Sequence, residues 1–122
     1  NIFIFGLTAE EVAAQRANGY EPRKVIEASP ELAQALSAIS SGVFSPHQPD
    51  RYHELINGLY DHDWFMVAAD FDAYAQAQRE VDELWNDKAS WSEKTIRNTA
   101  RMGWFSSDRT IRQYAKEIWR AG

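Results

Sequence analysis

Cysteine is absent from all 122 residues, which excludes disulfides and thiolate metal sites. That absence fits a reducing compartment, and a cytoplasmic location is expected. Positive charge is in deficit: 13 Lys and Arg stand against 18 Asp and Glu, for a net charge of −5. No clustered basic surface is available for a phosphate backbone, so no nucleic-acid partner is expected. Nor is there a polybasic patch for an anionic membrane. Long hydrophobic runs are missing too, since nothing approaches the roughly 20 apolar residues of a membrane helix. The opening Asn1-Ile2-Phe3-Ile4-Phe5-Gly6 is too short for a signal peptide and has no basic start. It also lacks methionine, and a chain that opens in mid-strand is expected to be cut from something longer. Repeats and low-complexity runs are absent.

What is present is an ordinary apolar fraction of 44% and a length suited to one small domain. Ile2, Phe3, Ile4 and Phe5 form a continuous β-branched and aromatic run stopped by Gly6. Such a run predicts a strand buried on both faces. Everything after it reads as helix and turn. Thr8 with Glu11 is a capping box, and Asn18-Gly19 ends that helix. Ser29-Pro30-Glu31 opens the next, with Leu32, Leu36 and Ile39 as its apolar stripe and Gly42 as its stop. Asp50 is expected to cap a helix carrying Leu55, Ile56 and Leu59. Residues 64–69 read as either a short strand or a connector. Asp70 then caps a helix reaching about Trp85 and displaying Tyr74, Val81 and Leu84. Ser90 with Glu93 predicts a second capping box, with Ile96 on the buried face and Gly103 as the stop. Ser107 is expected to cap the last helix, whose buried face holds Ile111, Tyr114, Ala115 and Ile118. The expected fold is therefore mainly α, one strand followed by about six helices. A lone strand cannot pair with itself, so its sheet must come from elsewhere.

Candidate chemistry is sparse. His47, His53 and His62 stand near Asp50, Glu54, Asp61 and Asp63, but no pair has the helical HExxH spacing of a metal site. Capping or solvated roles suit them better. Ser40-Ser41 and Ser106-Ser107 lie in no nucleophile elbow and are read as caps and turns. Trp64, Trp85, Trp91, Trp104 and Trp119 could form a stacking platform for sugars, but packing is the simpler reading. Lys24, Lys88, Lys94 and Lys116 sit among polar neighbours, unlike a lysine that carries a carbonyl cofactor.

The ordered motifs go further. Ile2-Phe3-Ile4-Phe5-Gly6, Gly19-Tyr20, Pro30-Glu31-Leu32, Ser41-Gly42-Val43-Phe44-Ser45-Pro46 and Ala69-Asp70 occur in sequence. They are followed by Phe105-Ser106-Ser107-Asp108-Arg109-Thr110-Ile111, Tyr114-Ala115 and Ile118-Trp119. In this order and spacing, over residues 1–120, the chain resembles the C-terminal end of the glycogen, starch and maltodextrin phosphorylases. It looks closest to their bacterial glycogen branch. Two departures are of packing scale: Val25-Ile26 stand near the place of a tyrosine pair, and Phe71 follows Asp70 where tyrosine is common.

The resemblance implies an enzyme that cleaves α-1,4-glucan ends with inorganic phosphate and releases glucose 1-phosphate. It implies pyridoxal 5′-phosphate on a lysine in a Glu-x-Ser-Gly-Thr-x-Asn-Met-Lys motif, which in the family lies before this segment. No catalytic, cofactor-binding or metal-binding residue therefore carries over to any position here. The implied fold is the tail of the second of two nucleotide-binding-like α/β domains (the GT-B type). Residues 1–6 would be a last sheet strand and residues 7–122 a helical cover, its final helix crossing back to the first domain. The implied partner is the remainder of the phosphorylase chain, with glucan and phosphate bound only by the whole enzyme. Alone, the chain is expected to be inactive and to self-associate through Ile2, Phe3, Ile4 and Phe5. The competing reading is a stand-alone helical module that binds a protein or glucan through its aromatic residues.

Overall fold

The computed structural model describes residues 2–120. Helices account for most of them: α1 (Ala9–Ala17), α2 (Pro22–Ala28), α3 (Pro30–Ser40), α4 (His53–Asp61), α5 (Val67–Asn86), α6 (Lys88–Arg101) and α7 (Ser107–Tyr114). Short 3-10 turns at Pro49–Tyr52 and Met102–Phe105 precede α4 and α7, and a wider π turn at Ala115–Trp119 follows α7. Compact packing groups the chain into two units. One is Ile4–Arg79; the other joins residues 2–3 to residues 80–120, and the boundary falls within α5.

The unit Ile4–Arg79 has a core. Ile26, Leu32, Leu36, Ile56 and Ala68 are buried together, with Val25, Ala33, Ile39, Leu59, Tyr60 and Phe71 packed around them. Helices α2, α3 and α4 meet there. Leu32 and Leu36 are spaced by four, so one face of α3 points inward. The sequence pattern marks the inward residues of α3 and, in α4, Ile56 and Leu59, while Leu55 is exposed and α2 is passed over. Its signal was Glu21-Pro22, a proline at the first helical position, and its Ile26 is the most deeply buried side chain of the core. The chain leaves α3 through Gly42, at φ +79°, where an added Cβ would lie 2.9 Å from Pro49 Cα.

The caps divide. Thr8 forms the expected box, accepting from Glu11 N at 3.3 Å while Glu11 Oε2 accepts from Thr8 N at 2.8 Å. The bond from Thr8 N, with the nearby Thr8 hydroxyl, holds the Glu11 carboxyl below its ordinary range. Several other expected caps move. Ser29 makes no cap bond; its hydroxyl donates to Asp72 Oδ1 at 2.7 Å, tying the start of α3 to α5. Asp50 lies inside the 3-10 turn because Pro49 sets the first helical φ there, and α4 grows directly from that turn. Asp87, not Ser90, caps α6: its carboxylate accepts from Ser90 N at 3.1 Å and from the Ser90 hydroxyl at 2.6 Å. Both bonds favour its charged form and lower its pKa. Ser106, not Ser107, caps α7, accepting from Arg109 N at 3.3 Å, so the helix starts one residue before the place expected.

No described residue lies in a strand. Residues 2–5 carry no ladder pairing here, because a ladder needs a second strand and the described residues offer none. Residues 64–69 are neither strand nor connector throughout. Trp64 and Phe65 form a turn, and α5 begins at Val67.

The second unit has no buried residue among residues 80–120. The expected inward face of the last helix is open, with Ile111, Tyr114 and Ile118 all exposed. Its aromatic residues pair locally instead. Trp85 meets Trp91 edge to face at 5.0 Å, Lys88 Nζ lies 3.5 Å over the Trp85 ring, and Tyr114 meets Trp119 at 6.0 Å.

The shifted cap gives a direct test. Ser106→Ala should cost about 1 kcal/mol of α7 stability. Ser107→Ala, at the first helical position, should cost only a few tenths by the same scale. Hydrogen exchange at Arg109 N should rise in the first variant and stay near wild type in the second.

Candidate functional site

The most constrained part of the molecule is the corner between α4 and α5. Helix α4 closes with two amides on one carbonyl: His62 N and Asp63 N donate to Gly58 O at 3.0 and 2.9 Å. Asp63 then turns into the left-handed region, at φ 38°, and Met66 does the same at φ 54°. Both are unfavourable for residues with a Cβ. The Asp63 carboxylate offsets that cost. It is 2% exposed, and its Oδ1 accepts from Val67 N at 2.8 Å while Oδ2 accepts from Ala68 N at 2.9 Å. Oδ2 also accepts from the Tyr20 hydroxyl at 2.6 Å. Asp63 is thus the cap of α5, in the role expected of Asp70. Asp70 lies inside the first turn of α5, where its carboxylate accepts from Leu7 N at 2.8 Å.

Between the two left-handed residues the chain pushes two aromatic side chains outward. Phe65 is 88% exposed and Trp64 66%. Trp64 is steadied by His62, stacked at 5.4 Å and 27°, and by the Arg16 guanidinium, which donates to the Trp64 carbonyl. On one side lies an open cleft of about 500 Å³ walled by Arg51, Leu55, Leu59, Trp64 and Phe65. On the other is a smaller hollow of about 300 Å³ with Arg16, Tyr20, Asp61, His62 and Trp64. Arg23 pairs with Asp61 at the rim and lies over the Tyr60 ring.

This arrangement suits contact rather than bond chemistry. Burial and the bond to Asp63 push the Tyr20 hydroxyl well above its ordinary range, so it is a donor and a poor base. The histidines do not converge: His53 Nε2 lies 3.1 Å from Ser40 O, His62 stacks on Trp64, and His47 is exposed. No group of three metal-ligating side chains exists among the described residues. Ser40 and Ser41 donate to the carbonyls of Ser37 and Ala38, as turn residues do. All four lysines are exposed, and Lys24 pairs with Glu21 at 2.7 Å. These settings do not fit the apolar, desolvated lysine that a carbonyl cofactor needs. The tryptophans depart from a simple packing role in this chain. Trp64, Trp85, Trp104 and Trp119 are exposed and Trp91 is half-buried. The sequence reading named Trp64 but gave no weight to Phe65, whose only signal was its place after an Asp-His-Asp helix end.

The family model described as carbohydrate phosphorylase matches residues 1–121. The brain form of glycogen phosphorylase from Homo sapiens is 50% identical over 119 residues, covering 98% of this chain and 14% of that protein. The liver form from Ovis aries is 46% identical over 119 residues, with the same two shares. The brain form from Ovis aries is 47% identical over 121 residues, 99% of this chain and 14% of the relative. The chain thus spans a small fraction of the length of the proteins it resembles.

Two variants test the corner. Asp63→Ala strands three donors and should cost on the order of 3 kcal/mol in chemical denaturation. Tyr20→Phe should act on the pH dependence. Because folding raises the Tyr20 pKa, the stability it contributes is complete below the tyrosine reference value near 10 and is lost as pH rises above it. The wild-type chain should therefore lose stability more steeply above that pH than Tyr20→Phe, read as denaturation midpoints across an alkaline series.

Proposed function

The chain belongs to the carbohydrate phosphorylase family, and on that premise we propose that it is the C-terminal structural part of an α-1,4-glucan phosphorylase. The whole enzyme would cleave glycogen or maltodextrin ends with inorganic phosphate, in the cytoplasm, and release glucose 1-phosphate. The catalytic groups and the pyridoxal 5′-phosphate lysine would lie in the remainder of the polypeptide. This part would supply no catalytic, cofactor-binding or metal-binding residue. It would be the tail of the second α/β domain: residues 1–6 as a last strand and residues 7–122 as its helical cover.

One observation carries the reading: a family match along the whole chain joined to apolar surface that the chain cannot bury. Ile2, Ile4, Phe65, Trp104, Phe105, Ile111, Ile118 and Trp119 are each exposed, a large apolar load for so short a chain. The rest of the polypeptide would cover them. The final helix, with Ile111, Tyr114 and Ile118 along one face and Trp119 at its end, would dock on the first domain. Without that cover, residues 2–5 expose both side chains and unpaired backbone, so the isolated chain would self-associate through Ile2, Phe3, Ile4 and Phe5.

Reassembly is the test. The chain and the remaining part of its full-length polypeptide, expressed separately and mixed, should regain phosphate-dependent release of glucose 1-phosphate that neither shows alone. Borohydride treatment with pyridoxal phosphate should give no stoichiometric adduct on any one lysine of the isolated chain. Light scattering should find it dimeric or larger at micromolar concentration, and deletion of residues 1–5 should return a monomer. Phosphorolysis by the isolated chain, or a stoichiometric adduct on one of its lysines, would defeat the proposal.

A further inference from the structure

We infer that Asp70 and Gly6 form a register lock, which fixes residues 5–7 against the first turns of α5 and so sets the frame in which the segment of residues 2–5 meets a partner strand. The inference rests on the reading that this segment is paired with a strand from the remainder of the full-length polypeptide. What it adds is the residue pair that sets the pairing frame.

Three contacts inside the unit Ile4–Arg79 carry it. Asp70 Oδ1 accepts from Leu7 N at 2.8 Å, across 63 residues of chain. Gly6 sits at φ +83°, and a Cβ there would lie 2.7 Å from both Cγ and Oδ2 of Asp70. Only glycine allows the backbone to close on the carboxylate. One residue earlier, Phe5 meets Tyr74 edge to face at 5.3 Å and 65°, one turn beyond Asp70 on the same helix. The carboxylate itself is pinned by its place in the first turn of α5, where Asp70 N donates to Met66 O at 3.1 Å.

The lock leaves a strand's signature upstream. Ile2 and Ile4 are about 80% exposed, while Phe3 and Phe5 are about half that. This is alternation with a period of two, in a segment that has no ladder partner to impose it. A slip of one residue would exchange the two faces, turning the phenylalanines outward and the isoleucines in. The close approach at Gly6 opposes that slip, since Phe5 or Leu7 in its place would bring a Cβ onto the Asp70 carboxylate. The partner must be another strand, because what residues 2–5 offer is an edge of amides and carbonyls rather than a pocket. The relatives supply the length for it, being several times longer than this chain.

The test uses the full-length polypeptide. Amide exchange at residues 2–7 should be slow in the wild type. Asp70→Ala should raise it at least tenfold there and leave the later turns of α5 unchanged. Asp70→Asn keeps an acceptor oxygen and should restore most of the protection. Gly6→Ala should mimic Asp70→Ala, and in the double variant Gly6→Ala, Asp70→Ala the second change should cost less than it does alone, because the clash is gone. If residues 2–5 exchange freely in the wild type, the pairing reading fails and the lock has nothing to hold. If they are protected and Asp70→Ala leaves that protection intact, pairing stands and the lock is overturned. Uniform loss of protection along Ile4–Arg79 in both Asp70 variants would also overturn it, by making Asp70 a general stabiliser.

Discussion

A single buried carboxylate holds the better-packed half of the molecule together. Asp63 accepts from two amides of α5 and from the Tyr20 hydroxyl, and it does so at 2% exposure, where an unpaired charge would be very costly. Those three bonds fix where α5 starts and which way it leaves α4. They also tie the Gly19-Tyr20 turn to both. Because α5 is placed in this way, Ala68 joins the core beside Ile26 and Ile56, and Asp70 and Asp72 reach Leu7 and Ser29. Remove the carboxylate and three separate segments lose their common reference point.

Much of this organisation was legible in the residues, and the misses share a cause. Thr8 with Glu11 and the Leu32, Leu36 spacing were read correctly because their partners are local, within four residues. Ser29 and Asp70 were misplaced because their partners lie 43 and 63 residues away in sequence, which no local pattern reveals. The caps of α6 and α7 show a second cause. Asp87 lies beside Ser90, and Ser106 beside Ser107, so two good capping residues compete. For α6 the charged acceptor takes the cap; for α7 the earlier hydroxyl does. The strand is a third case. Its composition and alternation are visible, yet a ladder belongs to two segments and one sequence segment cannot supply it. As for the site, the aromatic residues were visible and their outward display was not, because it depends on two left-handed residues, Asp63 and Met66, and nothing in the propensity of Met points there.

The two units solve the burial problem unequally. Residues 4–79 enclose a small core. Residues 80–120 enclose none and rely on capped helices, paired rings and cations over rings. Contacts of that kind are worth about 0.5–1.5 kcal/mol each. They keep a helix in order, but they do not replace a core when a chain must order itself against conformational entropy. The family assignment gives that imbalance a physical meaning. A segment that makes up 14% of its relatives' length need not bury its own apolar faces if the other 86% completes them.

The distribution of indoles has an optical consequence. Four of the five tryptophans are open to water, and the fifth is half-covered. Solvated indoles emit at long wavelength and are within reach of dissolved quenchers, whereas enclosed ones emit further to the blue and are shielded. The lysine ammonium seated 3.5 Å above the Trp85 ring, and the edge of Trp91 against the same ring, give that site an emission different from the rest. The chain thus carries its own spectroscopic gauge of how much of its surface is covered, with Trp64 reporting on one unit and the other four indoles on the second, and no added label needed.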